Sequence, residues 1–203
     1  MNTPVIKVNG QPLTRFELTN AMQEYALQMH DTSFDELDEE QREAIFHTTI
    51  EKLVVWELIY QKSMADGVEV DDKIVETELD GIAEQFDDRE AMVEELEKAN
   101  VSMELLHRSV RREILVDDVL NGRFAEAPEP TAEDFDAGYQ EYLKGRDEAI
   151  ADGTHPDPGE ALSRDEAKDM IIGHLRNKAA TETVRTWVNE LREEAEIEYL
   201  EEL

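Results

Sequence analysis

Residues 35–67, DELDEEQREAIFHTTIEKLVVWELIYQKSMADG, constrain the fold more than any other stretch. Phe46, Ile50, Leu53, Tyr60 and Met64 recur at spacings of three, four and seven, the repeat of one helix face. Val54, Trp56, Leu58 and Ile59 widen that face beyond a stripe, so the helix needs neighbours on several sides. Acids at its start favour the positive end of the helix dipole, and Gly67 is a natural stop. Glu57 interrupts the most apolar window, Lys52 to Tyr60, and nothing reaches the roughly eighteen unbroken apolar residues of a membrane span. The neighbours are therefore other protein elements, and a soluble chain is expected.

The flanking signals supply them. Val5 to Val8 has β character and is followed by Asn9-Gly10, a turn pair with positive φ, which predicts one short strand. Thr14-Arg15-Phe16-Glu17 has capping-box spacing, with Leu13 and Leu18 as a hydrophobic staple, so a helix should run from Thr14 to about His30. Asp71 or Asp72 caps a helix carrying Ile74, Val75, Leu79, Ile82 and Phe86, and a fourth helix spans about Arg89 to Ala99, closed by Asn100. Ser102 opens a fifth, ending at Asn121-Gly122.

After residue 122 the punctuation changes. EAPEP, residues 126–130, is an extended connector, and Thr131 caps a helix with Phe135, Tyr139, Tyr142 and Leu143. DGTHPDPG, residues 152–159, is a loop. Ser163-Arg164-Asp165-Glu166 is a second capping box, opening a long helix whose face runs through Val184, Trp187, Val188, Leu191 and Ala195, before Ile197 and Tyr199 alternate with charge as a last strand. The expected organisation is an N-terminal strand and helical core (1–125), a proline-linked helix and loop (126–162), and a long helix and strand completing the core (163–203). The fold class is mainly α, with several helices and a small two-stranded pairing of the N- and C-terminal strands.

Composition excludes more chemistry than it offers. Lys and Arg total 20 against 51 Asp and Glu, a net charge of −31 whose field repels phosphate backbones, so no nucleic-acid partner is expected. Cysteine is absent, which removes disulfides, thiolate metal sites and cysteine nucleophiles together. His30, His47, His107, His155 and His174 fall on separate elements without metal-ligand spacing, and the calcium-loop pattern is missing. Glycine signatures of dinucleotide, P-loop and hydrolase sites are missing too. No cofactor, no metal and no catalytic residue are expected. Asn100-Val101-Ser102 matches a glycosylation sequon at a helix start, a weak signal.

What remains is adaptable apolar surface. Met22, Tyr25 and Met29 share one face of the first helix, and Phe86, Met92, Met103, Tyr139 and Tyr142 add thioethers and rings on later helices. These eight are the candidate peptide-binding residues. Methionine also fills irregular cores, and the pattern alone leaves both roles open.

The ordered signals resemble the N-terminal chaperone module of the SurA and PrsA group of parvulin-associated folding factors. VIKVNGQPLTRFELTNAM is similar to its opening strand, turn and first helix, and IEKLVVWELIYQKSMADGVEVDDKIVETEL to its second helix and the link into the third. NVSMELLHRSVRREILVDDVL resembles a later helix junction, and WVNELREEAEIEYL the closing helix and strand. The resemblance, over residues 5–124 and 163–200, implies helices from both chain ends in one body, tied by the first and last strands. It implies unfolded, partly folded or nascent polypeptides as partners, held without ATP in an apolar groove between the early helices and the C-terminal helix. A parvulin isomerase domain needs its own sheet and pocket, and the short loop before Ser163 cannot house one, so the expected protein is a non-enzymatic holdase. The alternatives are a degenerate peptidyl-prolyl cis-trans isomerase relative, or a dedicated adaptor or homodimerisation module. MNTPVIKVNG carries no export signal, which as written favours the cytoplasm, whereas the resemblance favours a periplasmic or other extracytoplasmic space.

Overall fold

The computed structural model describes residues 3–86, 88–99, 101–154 and 160–200. Asn100 and His155 to Gly159, singled out above as a helix end and a loop, lie outside these. The chain divides into two compact units: Met1–Val119 with Val188–Leu203, and Leu120–Trp187.

The first unit opens with β1 (Pro4–Val8) and β2 (Gln11–Thr14), joined at Asn9 and Gly10. Both turn residues have positive φ, 51° and 79°, the twist that a two-residue hairpin requires. The last strand, β3 (Ile197–Tyr199), pairs antiparallel with the other side of β1, giving the order β2-β1-β3. The pairing of the chain ends is therefore present, with a third strand added. Pro12 sits opposite Lys7 in β2, an edge strand, where a missing N–H is tolerated. Asn9 holds the turn from two sides: its amide donates to Gln61 Oε1 at 2.9 Å, and its side-chain oxygen accepts the Glu196 N–H at 2.8 Å.

Helix α1 (Arg15–His30) starts at the Thr14–Glu17 capping box. A 3₁₀ turn at Phe34–Glu36 leads to α2 (Glu39–Ala65), capped by Asp38. Then come α3 (Asp72–Ala83), α4 (Arg89–Lys98) and α5 (Met103–Ala125), the last passing through Gly122 without stopping. Val5, Ile6, Val8, Leu13 and Leu18 form one core with Ile50, Leu53, Val54 and Leu58 of α2, and Leu191, Ala195 and Ile197 from the end of the chain pack on it. A second cluster joins Ala26, Leu37 and Ile45, and a third joins Val75 and Leu79 to Val110. The broad face of α2 is thus covered by the sheet, α1 and the end of the chain. Burying each large aliphatic side chain contributes roughly 1.5–3 kcal/mol.

The second unit contains the end of α5, then α6 (Ala132–Ala151) and most of α7 (Arg164–Glu193). Thr131 and Asp134 form a capping box for α6, and Ser163 and Glu166 exchange the same pair of bonds at the start of α7. Those bonds hold both carboxyls below the usual range, first the cap side chain and then its backbone N–H for Asp134 and for Glu166 alike. Only Ala167 and Ile171 are buried among the described residues of this unit.

Candidate binding groove

That sparse core follows from how α6 and α7 meet. Gly138 permits the close approach, since a Cβ there would stand 2.9 Å from Ile171 Cγ2 and 3.4 Å from a Leu175 methyl. A side chain at this position would push the helices apart. Along the same side of α6, Gly145 has nothing within 4 Å of where a Cβ would stand, so the helices leave space there.

The space is an open groove of about 660 Å³, within the range of ligand-binding clefts. From α6 it is lined by Gly138, Glu141, Tyr142, Gly145, Arg146 and Ala149; from α7, by Met170, Ile171, His174 and Leu175. Met170 is half exposed, and Ile150, Leu162 and Phe124 are exposed elsewhere in the unit. The lining holds no nucleophile with a base beside it. What the groove can do is take up apolar side chains.

An aromatic ladder fixes one end. Phe135 and Tyr139 stack at 6.4 Å between centroids, and Tyr139 lies 6.1 Å from Tyr142. The Tyr139 hydroxyl donates to the Leu162 carbonyl at 2.9 Å, while the Tyr142 hydroxyl accepts the Leu162 N–H at 3.2 Å. Arg164 lies over the Phe135 and Tyr139 rings and pairs with Asp136. The two tyrosines therefore pin the segment entering α7, and Tyr142 also presents an edge to the groove.

The eight sequence-derived candidates are dispersed. Tyr139 and Tyr142 belong to the second unit; the other six belong to the first. Met22 and Tyr25 are half buried and pack against Ala26, Leu37 and Ile45, whereas Met29 is exposed. Phe86 is exposed after α3, Met103 is partly buried at the start of α5, and Met92 is fully buried inside α4's packed face. Of the eight, only Tyr142 lines the groove. Gly138, Gly145 and Leu175, which also line the groove, escaped sequence reasoning, because glycine spacing within one helix does not tell what stands opposite it.

A buried ionic network in the first unit was also missed. Glu57 is completely buried on α2 and takes Arg108 Nη2 at 2.7 Å and Arg112 Nη1 at 3.1 Å. Arg112 Nη2 stands 2.9 Å from Glu17 Oε1, poorly aligned for a hydrogen bond, and Glu17 Oε2 caps Thr14 N and Oγ1 at 2.8 and 2.9 Å. Gln61 donates to Glu57 and to the Val8 carbonyl, both at 2.9 Å. Two guanidiniums balance two carboxylates where α1, α2 and α5 converge, an arrangement that fixes packing. Among the described residues no three His, Asp or Glu side chains converge as metal ligands, and no helix is long and apolar enough to cross a membrane.

A family model described as the SurA-like N-terminal domain matches residues 1–120, more than half of the chain. The chain belongs to the SurA-like N-terminal domain family. The match spans β1, β2, α1 to α4 and most of α5, and ends where the second unit begins. A solved SurA-like chain aligns at 12% identity over 99% of this chain and 100% of its own, with a TM-score of 0.50. It comes from work describing the virulence factor PEB4 and the periplasmic protein Cj1289 as two structurally related SurA-like chaperones in the human pathogen Campylobacter jejuni. At that identity the likeness bears on the SurA-like fold alone. Among curated proteins, none matches this SurA-like chain.

Proposed function

We propose that this protein is an ATP-independent chaperone of the holdase kind, which binds unfolded or partly folded polypeptides on apolar surface and performs no chemistry on them. The observation that carries the reading is the open α6–α7 groove in a unit that buries only Ala167 and Ile171 among its described residues. Two helices with so little core keep apolar side chains available to solvent, Met170 on the groove and Ile150, Leu162 and Phe124 elsewhere in the unit. Membership of the SurA-like family and the description of its solved relatives as chaperones support the same role.

Such a protein shifts a client's equilibrium by binding its non-native state, by mass action and without nucleotide. Half-exposed Met170 and the space at Gly145 let one groove accept different side chains. The carboxylate-rich remainder, at −31 for the chain, keeps a loaded complex in solution. One solved relative's description as periplasmic supports an extracytoplasmic site of action, which fractionation of the native cell tests.

The deciding experiment follows light scattering of a chemically denatured client diluted with or without the full chain, in the absence of nucleotide. Scattering should fall as the chain approaches stoichiometric amounts; no change at a several-fold excess refutes the proposal. A proline-peptide exchange assay should match the uncatalysed rate, which is slow enough, at tens to hundreds of seconds, to expose modest catalysis. Recovery of one partner alone from a pull-down would point instead to a dedicated adaptor.

A further inference from the structure

We propose that the α6–α7 groove receives a helical, cationic and amphipathic segment of the client, about three turns long. The inference rests on the chaperone reading and names the class of segment that fits its site.

The conformation follows from the walls. Both are helices, whose backbone N–H and C=O groups are already bonded internally, so the groove offers no strand edge. An extended segment laid on this floor would bury its own peptide groups without partners, at roughly 1–3 kcal/mol for each. A helix brings its backbone bonds with it and presents only side chains. The spacing of the α6 wall suits such an occupant: Tyr142, Gly145 and Ala149 stand three and four apart, the seam that accepts the knobs of a facing helix, while at Gly138 Ile171 and Leu175 already fill the space and close one end. From Gly138 to Ala149 the wall rises about 16 Å, which sets the length at three turns. The opening at Gly145 takes a large aliphatic side chain, and Met170 adapts around it.

The charge follows from the surroundings. Residues 120–187 hold fifteen Asp and Glu against eight Lys and Arg, and the whole chain stands at −31. Glu141 is on the lining, exposed Asp169 precedes Met170, and Arg146 is already paired with Asp147 at 3.5 Å. A second copy of this chain would bring another −31 to the same place and be repelled, whereas a segment with Lys or Arg on its polar face gains attraction along its length.

The test uses the full chain and fluorescent peptides of about twelve residues, matched to three helical turns. They share one Leu/Ile face and carry either Lys or Glu on the other; a third carries Lys with a central Pro. By anisotropy at about 20 mM salt the Lys peptide should bind at least about tenfold tighter than the Glu peptide, and the gap should close near 0.5 M. Circular dichroism should register helix gained on binding, and the Pro peptide should bind more weakly. Gly145→Leu should weaken the Lys peptide at least about fivefold while its own melting temperature holds or rises, because Leu outranks Gly in a helix. Equal affinity for Lys and Glu peptides, binding without helix, or unchanged binding by Gly145→Leu would each overturn the proposal. Self-association that Gly145→Leu abolishes would overturn it in favour of a second copy. If the chain binds the Lys peptide yet fails to restrain client aggregation, the chaperone reading falls and the groove assignment stands; the reverse result drops the groove and keeps the chaperone.

Discussion

Arg112→Met tests the central assertion about the first unit, that its core is organised around shared charge. Arg112 is 4% exposed and bridges Glu17, at 2.9 Å, and the fully buried Glu57, at 3.1 Å. After the substitution, Glu57 keeps Arg108 at 2.7 Å and Gln61 at 2.9 Å. Glu17 keeps only the Thr14 donors and becomes a buried carboxylate without a counter-ion. Removing one partner of a buried pair costs about 3–5 kcal/mol, and the Thr14 bonds place this case near the lower end. At about 2–4 °C per kcal/mol for a chain of this size, the melting temperature should fall by about 6–12 °C. Because buried pairs are poorly screened, the loss should persist near 1 M salt. Glu17→Gln added to Arg112→Met should recover most of it, since Gln still closes the capping box and carries no charge. Thermal and urea unfolding of the single and double variants supply the numbers. A single variant within about 1 kcal/mol of the parent, or a double no better than the single, would refute the reasoning.

Glu113 gives a pH test. Desolvation of its carboxyl, then Glu24 and Asp117, raise it above the usual value, with Lys52 opposing. The folded chain therefore holds this proton more tightly than the unfolded one, so stability is lost as pH rises from the unfolded value through the raised one. Glu113→Gln should raise the melting temperature at about pH 7 and leave it unchanged near pH 3; an equal gain at both would exclude titration as the cause. The whole-chain charge of −31 predicts that raising salt from about 0.02 to 1 M increases the melting temperature, and a flat response would mean that repulsion is not limiting. Gly138→Ala should cost about 1–3 kcal/mol by meeting Ile171, whereas Gly145→Ala, in open space, should gain up to about 1 kcal/mol. Urea unfolding that ranks the two in the opposite order would contradict the described α6–α7 packing.

Where a signal is local, the sequence was readable. Thr14 with Glu17 and Ser163 with Glu166 announce helix starts through bonds that span only three residues, and each helix begins where its box places it. Glycine signals were less reliable. Gly67 follows α2 with φ 79°, but Gly122 lies inside α5, because a stop requires the left-handed conformation as well as the residue. Strand β2 was missed because Leu13 read as the staple of the first helix; its pairing with β1 is a property of the hairpin. The ionic network was hidden for a related reason. Glu57 was visible as a charge within an apolar run, yet its partner Arg112 lies 55 residues away on another helix. The groove depends on how closely Ile171 approaches Gly138, where a Cβ would stand only 2.9 Å from it, and on space at Gly145, and no spacing in one segment encodes either. Methionine and aromatic positions alone selected Met22, Tyr25 and Met92, whose packing within the first unit only tertiary neighbours reveal.

The contrast between the units has a thermodynamic origin. An isolated helical hairpin with two buried side chains would not offset the ordering entropy of its residues, which is about 1–2 kcal/mol each for the backbone alone. The second unit does not begin as an isolated hairpin. Its chain enters within α5, which already contributes Val110 to the first unit's core, and leaves within α7, whose later residue Leu191 packs against that core. Helix propagation from a formed segment avoids the nucleation penalty, a factor of about 10⁻³ in equilibrium constant. Capping bonds at Thr131 and Ser163 and the tyrosine bonds to Leu162 then fix the starts of α6 and α7 using polar groups. Stability drawn from continuity and caps leaves the apolar side chains of α6 and α7 without the duty of forming a sealed core. On the proposed chaperone reading, that freedom is what the groove needs, since one closed by its own collapse would have nothing left to offer a client.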